Sequence, residues 1–277
     1  MKAVIPAAGF GTRFLPIAKA IPKEMLPVGN QPVIHYVVAE AAAAGFDEIL
    51  IILSQGKESI REYFTPNPKL EAHLERIGKI REAAIVRETT SLARIEYVYQ
   101  PEMRGLGDAV RLARDFVADS EAFSVLLGDT IMQGGSPLPA MREAWERDHQ
   151  GSVNLEPCPA ERVSRYGVAG GDQLRPGVFS LDRLVEKPKV EEAPKLRDSA
   201  GAELPPHAFA ARYLFRREMF DYLDATEPGY GGEIQLTDAM DRYRAENGLL
   251  GVCWAGKRLD IGNPAGLLAA TQALQSE

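Results

Sequence analysis

The chain has 277 residues, 45% of them hydrophobic, and a formal charge of −7; a chain of that size buries a core without covalent staples, and its acidic balance argues against sequence-independent nucleic-acid binding, which needs basic stripes. Two cysteines, Cys158 and Cys253, with no C-x-x-C pair, argue against a disulfide scaffold or a structural zinc site and fit a reducing cytoplasm. No apolar run approaches the ~20 residues of a membrane helix, and Met1 leads straight into a strand pattern rather than a secretory signal.

In chain order, Lys2–Pro6 reads as a short strand, and residues 33–44 as a helix with an apolar stripe, closed by Gly45. Residues 48–53, Glu-Ile-Leu-Ile-Ile-Leu, read as a strand buried on both faces. Residues 58–64 and 69–89 are charged and amphipathic, which predicts two surface helices. A strand at 94–99, a helix at 108–117 and a buried strand at 123–127 follow, the last running into Gly128-Asp129. This alternation predicts an α/β fold with a mostly parallel sheet, right-handed crossovers and helices on both faces. Beyond residue 150 the pattern loosens. Strands are expected at 151–156, 167–168, 178–185 and 208–215, with an exposed loop at 191–206. Helices at 217–225 and 233–247, a strand at 249–254 and a helix at 264–274 complete the chain.

Ligands of open parallel sheets bind at the carboxyl ends of the strands, so the loops there carry the chemistry. The first strand runs into Gly9-Phe-Gly-Thr-Arg-Phe, which lacks both the Gly-Lys-Ser/Thr ending of a P-loop and the third glycine of the dinucleotide fingerprint. Its glycines still let backbone N–H groups converge on an anion, and Arg13 and Lys23 add positive charge. The phosphate chain of a nucleotide is the natural guest; an ordinary tight turn with solvated cations is the alternative.

Asp129 ends a buried apolar run, so its carboxylate must be paired, protonated or on a metal. Mg²⁺ takes one or two carboxylates together with phosphate oxygens, and Asp260, after a second short strand, is a candidate partner. Either aspartate could equally be a turn or N-cap residue. Glu186-Lys187-Pro188 ends an alternating strand, which sends acid and base to opposite faces. Alone, such a pair is usually a surface pair worth little. His35, His73, His149 and His207 show no zinc or triad spacing, and neither Ser54 nor Ser91 has a G-x-S-x-G context.

Several stretches occur in a fixed order: Pro6-Ala-Ala-Gly-Phe-Gly-Thr-Arg-Phe-Leu-Pro16, Lys19-Ala-Ile-Pro-Lys-Glu-Met-Leu-Pro27, Gln100 with Gly105-Leu-Gly107, Leu127-Gly-Asp129, Val163-Ser-Arg-Tyr-Gly-Val168, Val185-Glu-Lys-Pro188 and Gly232-Glu-Ile-Gln-Leu-Thr-Asp238. From Met1 to about Ala270 the chain resembles the bacterial UTP–glucose-1-phosphate uridylyltransferases of the sugar-nucleotidyltransferase family. The stretch from Lys189 to Pro206 is longer than the family pattern.

The resemblance implies a Rossmann-like, mostly parallel central sheet flanked by helices, with a smaller antiparallel sugar-side sheet. It implies one nucleotidyltransferase domain over 1–277, with a nucleotide-binding part at about 1–130 and a sugar-binding and C-terminal part at about 131–277. Ala8 and Gly9 would offer backbone contacts to uracil, and Gln100 and Gly105 would complete base recognition. The Gln100 amide can donate and accept at once, which suits the uracil edge. Glu24 would help hold the nucleotide side, Arg13 and Lys23 would face the triphosphate, and Asp129 would hold Mg²⁺ with Asp260 as candidate second ligand. Gly167, Glu186 and Glu233 would meet glucose hydroxyls, and Lys187 the sugar phosphate. The implied reaction is attack by glucose 1-phosphate on the α-phosphorus of UTP, in a cytoplasmic homodimer or homotetramer. Two alternatives stay open: a thymidylyl- or cytidylyltransferase of the same design, and a non-catalytic nucleotide-sensing homologue. The second predicts loss of Arg13, Asp129 or Lys187, all of which are present.

Overall fold

In the structure, a computed structural model describing residues 1–275, ten strands form one mixed sheet. Its spatial order is Leu196–Arg197, Gly167–Arg175, Val178–Glu186, Leu250–Cys253, Ser152–Pro157, His207–Arg216, Ala122–Leu126, Lys2–Pro6, Glu48–Leu53 and Arg94–Tyr99. The last four are mutually parallel, with Lys2–Pro6 between Ala122–Leu126 and Glu48–Leu53. His207–Arg216 is antiparallel to both of its main neighbours, and Gly167–Arg175 and Val178–Glu186 form an antiparallel pair. The expected antiparallel strands therefore exist, as a continuation of the central sheet.

Both faces of the parallel half are covered, because its three inner strands are almost continuously apolar; the edge strand Arg94–Tyr99 alternates charged and apolar residues and is only half-buried. Val4, Leu50, Ile52, Phe123 and Val125 pack on one face, under Met219–Asp224 and Leu236–Asn247. Ala3, Ile5, Ile49, Ile51 and Leu53 pack on the other, under Val33–Ala43 and Leu138–Asp148. The latter helix was not among the expected elements, although Leu138, Met141 and Trp145 give it a buried stripe at helical spacing.

Three expectations change. Residues 69–89 hold two helices, Pro68–Arg76 and Ile80–Glu88, separated by a turn at Gly78. The segment 191–206 is no simple exposed loop: Leu196 is fully buried and pairs with Gly171 at the sheet edge. The helix expected from Asp108 begins at Leu106 and keeps α geometry only to Arg111. A further two-stranded sheet joins Thr130–Gln133 to Lys257–Asp260, antiparallel, and the helix Pro264–Gln275 covers it through Ile131, Leu259 and Ala270.

Candidate active site

The site lies along the carboxyl ends of the parallel strands. After Pro6, the Ala7 N–H still donates to Ile52 O at 2.8 Å, so strand pairing reaches into the glycine-rich loop. Two buried side chains from the next βα unit then pin the loop's carbonyls. Ser54 Oγ donates to Ala8 O at 2.7 Å, and Lys57 Nζ donates to Ala7 O at 2.5 Å and to Glu24 Oε2 at 2.7 Å. Lys57 and Glu24 are only 6% and 1% exposed. Burial pushes the Glu24 carboxyl above its ordinary value and the Lys57 ammonium below its own, and the mutual attraction opposes both shifts.

Lys23, in the same turn as Glu24, places Nζ 2.5 Å from Asp129 Oδ2. Burial pulls the Lys23 ammonium down, but the Asp129 and Glu24 charges outweigh it, and its pKa is raised. Burial likewise pushes Asp129 up, but the Lys23 charge and hydrogen bond hold its carboxyl below the ordinary value. Of the three states open to a carboxylate at this position, Asp129 is therefore in the paired one.

Gln100 follows the edge strand, with its N–H on Leu53 O at 2.7 Å. Its Nε2 donates to Gly105 O at 3.3 Å and to Asp108 Oδ2 at 2.9 Å. Gly105 has φ 108°, and a Cβ there would stand 2.6 Å from Ile234 O, so only glycine fits. The close approach lets Ile234 N donate to Arg104 O at 2.7 Å and Gly107 N donate to Ile234 O at 2.9 Å. These bonds join loops more than a hundred residues apart in sequence. A cavity of about 390 Å³ results, and Ala8, Gly9, Lys23, Glu24, Gln100, Gly105, Asp129 and Glu233 all line it.

A second cavity, of about 200 Å³, adjoins the first: Leu106, Leu127 and Asp129 line both. Gly167, Glu186 and Asp260 form its walls with Tyr166, Thr237 and Arg258. Thr237 Oγ1 donates to Glu186 Oε2 at 2.7 Å. A Cβ on Gly167 would lie 2.3 Å from the Phe209 ring and 3.1 Å from Glu186 Oε2, so this strand start must be glycine. Asp260 arrives through the small sheet, where it stands opposite Thr130, and Ile261 N donates to Asp129 O at 3.0 Å. Its carboxylate accepts from Gly262 N at 2.9 Å and from Tyr166 Oη at 3.3 Å. Arg258, which pairs with Glu156, lies 4.8 Å from the centre of the Tyr166 ring.

A Cβ built on Gly262 would stand 2.9 Å from Asp260 Oδ1, 3.6 Å from Arg13 Nη1 and 3.8 Å from Asp129 Oδ2. Three groups far apart in sequence thus surround one point. Two carboxylates with no soft ligand suit a hard divalent cation that also takes phosphate oxygens. Lys187 has φ 47°, a left-handed conformation rare for a side chain of its size and held here directly before Pro188. Its N–H donates to Tyr166 O at 3.0 Å and its Nζ lies 3.4 Å from Glu186 Oε1. Backbone strain of this kind, of order 1–3 kcal/mol, gathers at functional positions.

The structure thus gathers Ala8, Gly9, Lys23, Glu24, Gln100, Gly105, Asp129, Gly167, Glu186 and Asp260 on the two cavities. Glu233 lines the first cavity rather than the second, and among the described residues Arg13 and Lys187 flank the cavities without lining either. Sequence reading missed Lys57, Asp108, Thr237 and Arg258. Lys57 carried a usable signal, since Ser54-Gln-Gly-Lys57 follows a fully buried strand. Arg258 carried none, because an arginine in a short strand looks solvated.

A sheet that changes from parallel to antiparallel beside a glycine-rich loop, with two confluent cavities at its edge and a paired aspartate between them, defines an α/β enzyme that brings two ligands together. The chain belongs to the nucleotidyl transferase family, whose model matches residues 2–277. It is 38% identical to the UTP–glucose-1-phosphate uridylyltransferase of Bacillus subtilis, over 98% of this chain and 89% of that protein. A solved UTP-bound UGPase from Acinetobacter baumannii superposes with a TM-score of 0.88 at 32% identity, covering 99% of this chain and 92% of the other. A UDP-glucose pyrophosphorylase solved with UDP-glucose superposes with a TM-score of 0.85 at 34% identity, covering 99% and 98%.

Proposed function

We propose that this protein transfers the uridylyl group of UTP to α-D-glucose 1-phosphate, forming UDP-glucose and pyrophosphate. The observation that carries the reading is the junction of the two cavities at Asp129. A nucleotide in the first and a sugar phosphate in the second would meet there, at the α-phosphorus. The named relatives and the two solved complexes support the same pair of substrates.

A phosphate oxygen of glucose 1-phosphate forms the new P–O bond while the bond from the α-phosphorus to the bridging oxygen breaks, and the electron pair leaves with pyrophosphate. The attacking group is already anionic and needs no general base. The barrier is repulsion between two polyanions, and the protein's task is to neutralise and align them. Ala8 and Gly9 present backbone to the base, over carbonyls pinned by Ser54 and Lys57, while Glu24 acts from beneath through Lys57. Gln100 and Gly105 read the base. Arg13 and Lys23 face the phosphates, and Lys187 the sugar phosphate. Gly167 and Glu186, with Thr237 orienting the carboxylate, meet glucose hydroxyls; we place Glu233 at the nucleotide-side rim. Asp129 and Asp260 would hold Mg²⁺, which when bound offsets phosphate charge and orients the α-phosphate.

In this reading residues 1–277 are one nucleotidyltransferase domain, with the nucleotide part at about 1–130 and the sugar and C-terminal part at about 131–277. The enzyme works in the cytoplasm as a homodimer or homotetramer. Among the described residues, no helix is long and apolar enough to cross a membrane. The test is pyrophosphate release with glucose 1-phosphate and each of UTP, dTTP, CTP and ATP, with and without Mg²⁺. UTP should give the fastest turnover; release with ATP alone, or with none of the four, overturns the proposal.

A further inference from the structure

We propose that Asp108 is a specificity-positioning residue, which fixes the Gln100 amide so that the nucleotide cavity reads the base as a hydrogen-bond donor and rejects cytosine. The inference rests on the uridylyl-transfer reading of the site. Gln100 Nε2 has two partners, Gly105 O at 3.3 Å and Asp108 Oδ2 at 2.9 Å. A peptide carbonyl and a carboxylate are both pure acceptors, so only the NH₂ side of the amide can face them. Both N–H groups are thereby committed, and Oε1 is the group left to a ligand in the cavity that Gln100 lines. The double role expected of this amide, donor and acceptor together, reduces to acceptor alone.

Asp108 is itself oriented. Its Oδ1 accepts from Arg104 Nη2 at 3.0 Å, with Arg111 Nη1 at 3.8 Å, which leaves Oδ2 for Gln100. Its side chain is only 13% exposed, and Gln100 is 4% exposed, so water competes weakly for these bonds. Uracil presents an N–H at N3, which an amide oxygen accepts. Cytosine presents a lone pair at the same atom, which the oxygen repels. Thymine carries the same N–H as uracil, so this device separates UTP from CTP and is blind to UTP against dTTP.

The experiment measures kcat/KM for UTP, CTP and dTTP, with glucose 1-phosphate saturating, in the wild type and in Asp108→Asn, Asp108→Ala and Asp108→Glu. In Asp108→Asn, Arg104 claims the single side-chain oxygen and the new NH₂ faces Gln100, which drives the amide to turn its own NH₂ toward the base. The UTP/CTP ratio should then fall by about 10- to 100-fold, with the UTP/dTTP ratio and the KM for glucose 1-phosphate unchanged. Asp108→Ala should lower the ratio less, and Asp108→Glu, which keeps an acceptor, should retain more of it than Asp108→Asn; this comparison stands even where one variant folds poorly. An unchanged UTP/CTP ratio in Asp108→Asn and Asp108→Ala overturns the inference, as does an equal loss for all three triphosphates. A wild type that uses no pyrimidine triphosphate instead overturns the functional reading, and this inference with it.

Discussion

The two halves of the site are built by opposite means. In the first cavity, proposed for the nucleotide, the glycine-rich loop displays backbone whose Ala7 and Ala8 carbonyls are held from beneath by the buried Lys57, itself paired with Glu24, and by Ser54. The second cavity, proposed for the sugar phosphate, is walled more by side chains, and the strands beside it depart from regularity. The ladder between His207–Arg216 and Ser152–Pro157 shifts register between Phe209 and Tyr213, and Ala211 takes φ 61° within that shift. Val178–Glu186 shifts register near Asp182, and the Leu184 N–H beyond the shift donates to Asp241 Oδ1 at 3.2 Å. Lys187 then turns into the left-handed region at the strand's end. Parallel strands end in loops that can wrap a phosphate chain, whereas a bulge in an antiparallel strand re-aims a side chain.

The largest effect should come where the halves meet. Asp129→Asn leaves Lys23 an amide oxygen in place of a carboxylate and removes charge between the cavities. Turnover should fall roughly a thousandfold or more, with the melting profile retained. Near-wild-type kcat at saturating Mg²⁺ would mean that the halves do not meet at this residue.

A purely structural break on the nucleotide side comes next. Lys57→Met strands Glu24 in a buried position and should lower stability by about 3 kcal/mol at pH 8 in denaturant titration. The pH dependence has a definite sign. Burial raises the folded-state pKa of Glu24 above its unfolded value, so its contribution is intact below the ordinary glutamate value and is lost as pH rises through the raised one. The variant's deficit should therefore be smaller at pH 5 than at pH 8; a deficit independent of pH would remove Glu24 from the account.

On the sugar side, Lys187→Ala should lower kcat/KM for glucose 1-phosphate about 100-fold and leave UTP affinity, measured by calorimetry, almost unchanged. Lys187→Arg should recover only part, since a guanidinium is not a compact point charge. Weaker UTP binding with an unaltered sugar-phosphate KM would move this lysine to the nucleotide half. The smallest effect is on base reading: Gln100→Ala should raise the UTP KM about 10-fold and flatten the preference over CTP. If the preference survives, the base is read by backbone groups alone.

The sequence by itself determined the parallel half and pointed to the loops at its strand ends. Short, nearly continuous apolar runs at residues 2–6, 48–53 and 123–127, too short for helices and bounded by glycines and charges, read as strands covered on both faces, and those bounding residues mark the loops. Of the residues singled out after strands 2–6 and 123–127, Ala8, Gly9, Lys23, Glu24 and Asp129 line a cavity and Arg13 does not; strand ends are local in sequence. What depended on long-range contact was decided by tertiary structure. Residues 191–206 look solvated until Leu196 finds Gly171, and Asp260 looks like a turn residue until the ladder with Thr130–Gln133 carries it beside Asp129. The Gln100 amide has no preferred orientation in a sequence. Only the folded chain brings Asp108 and Gly105 to the same nitrogen, because a hydrogen bond's direction is set by which acceptors the backbone places around it.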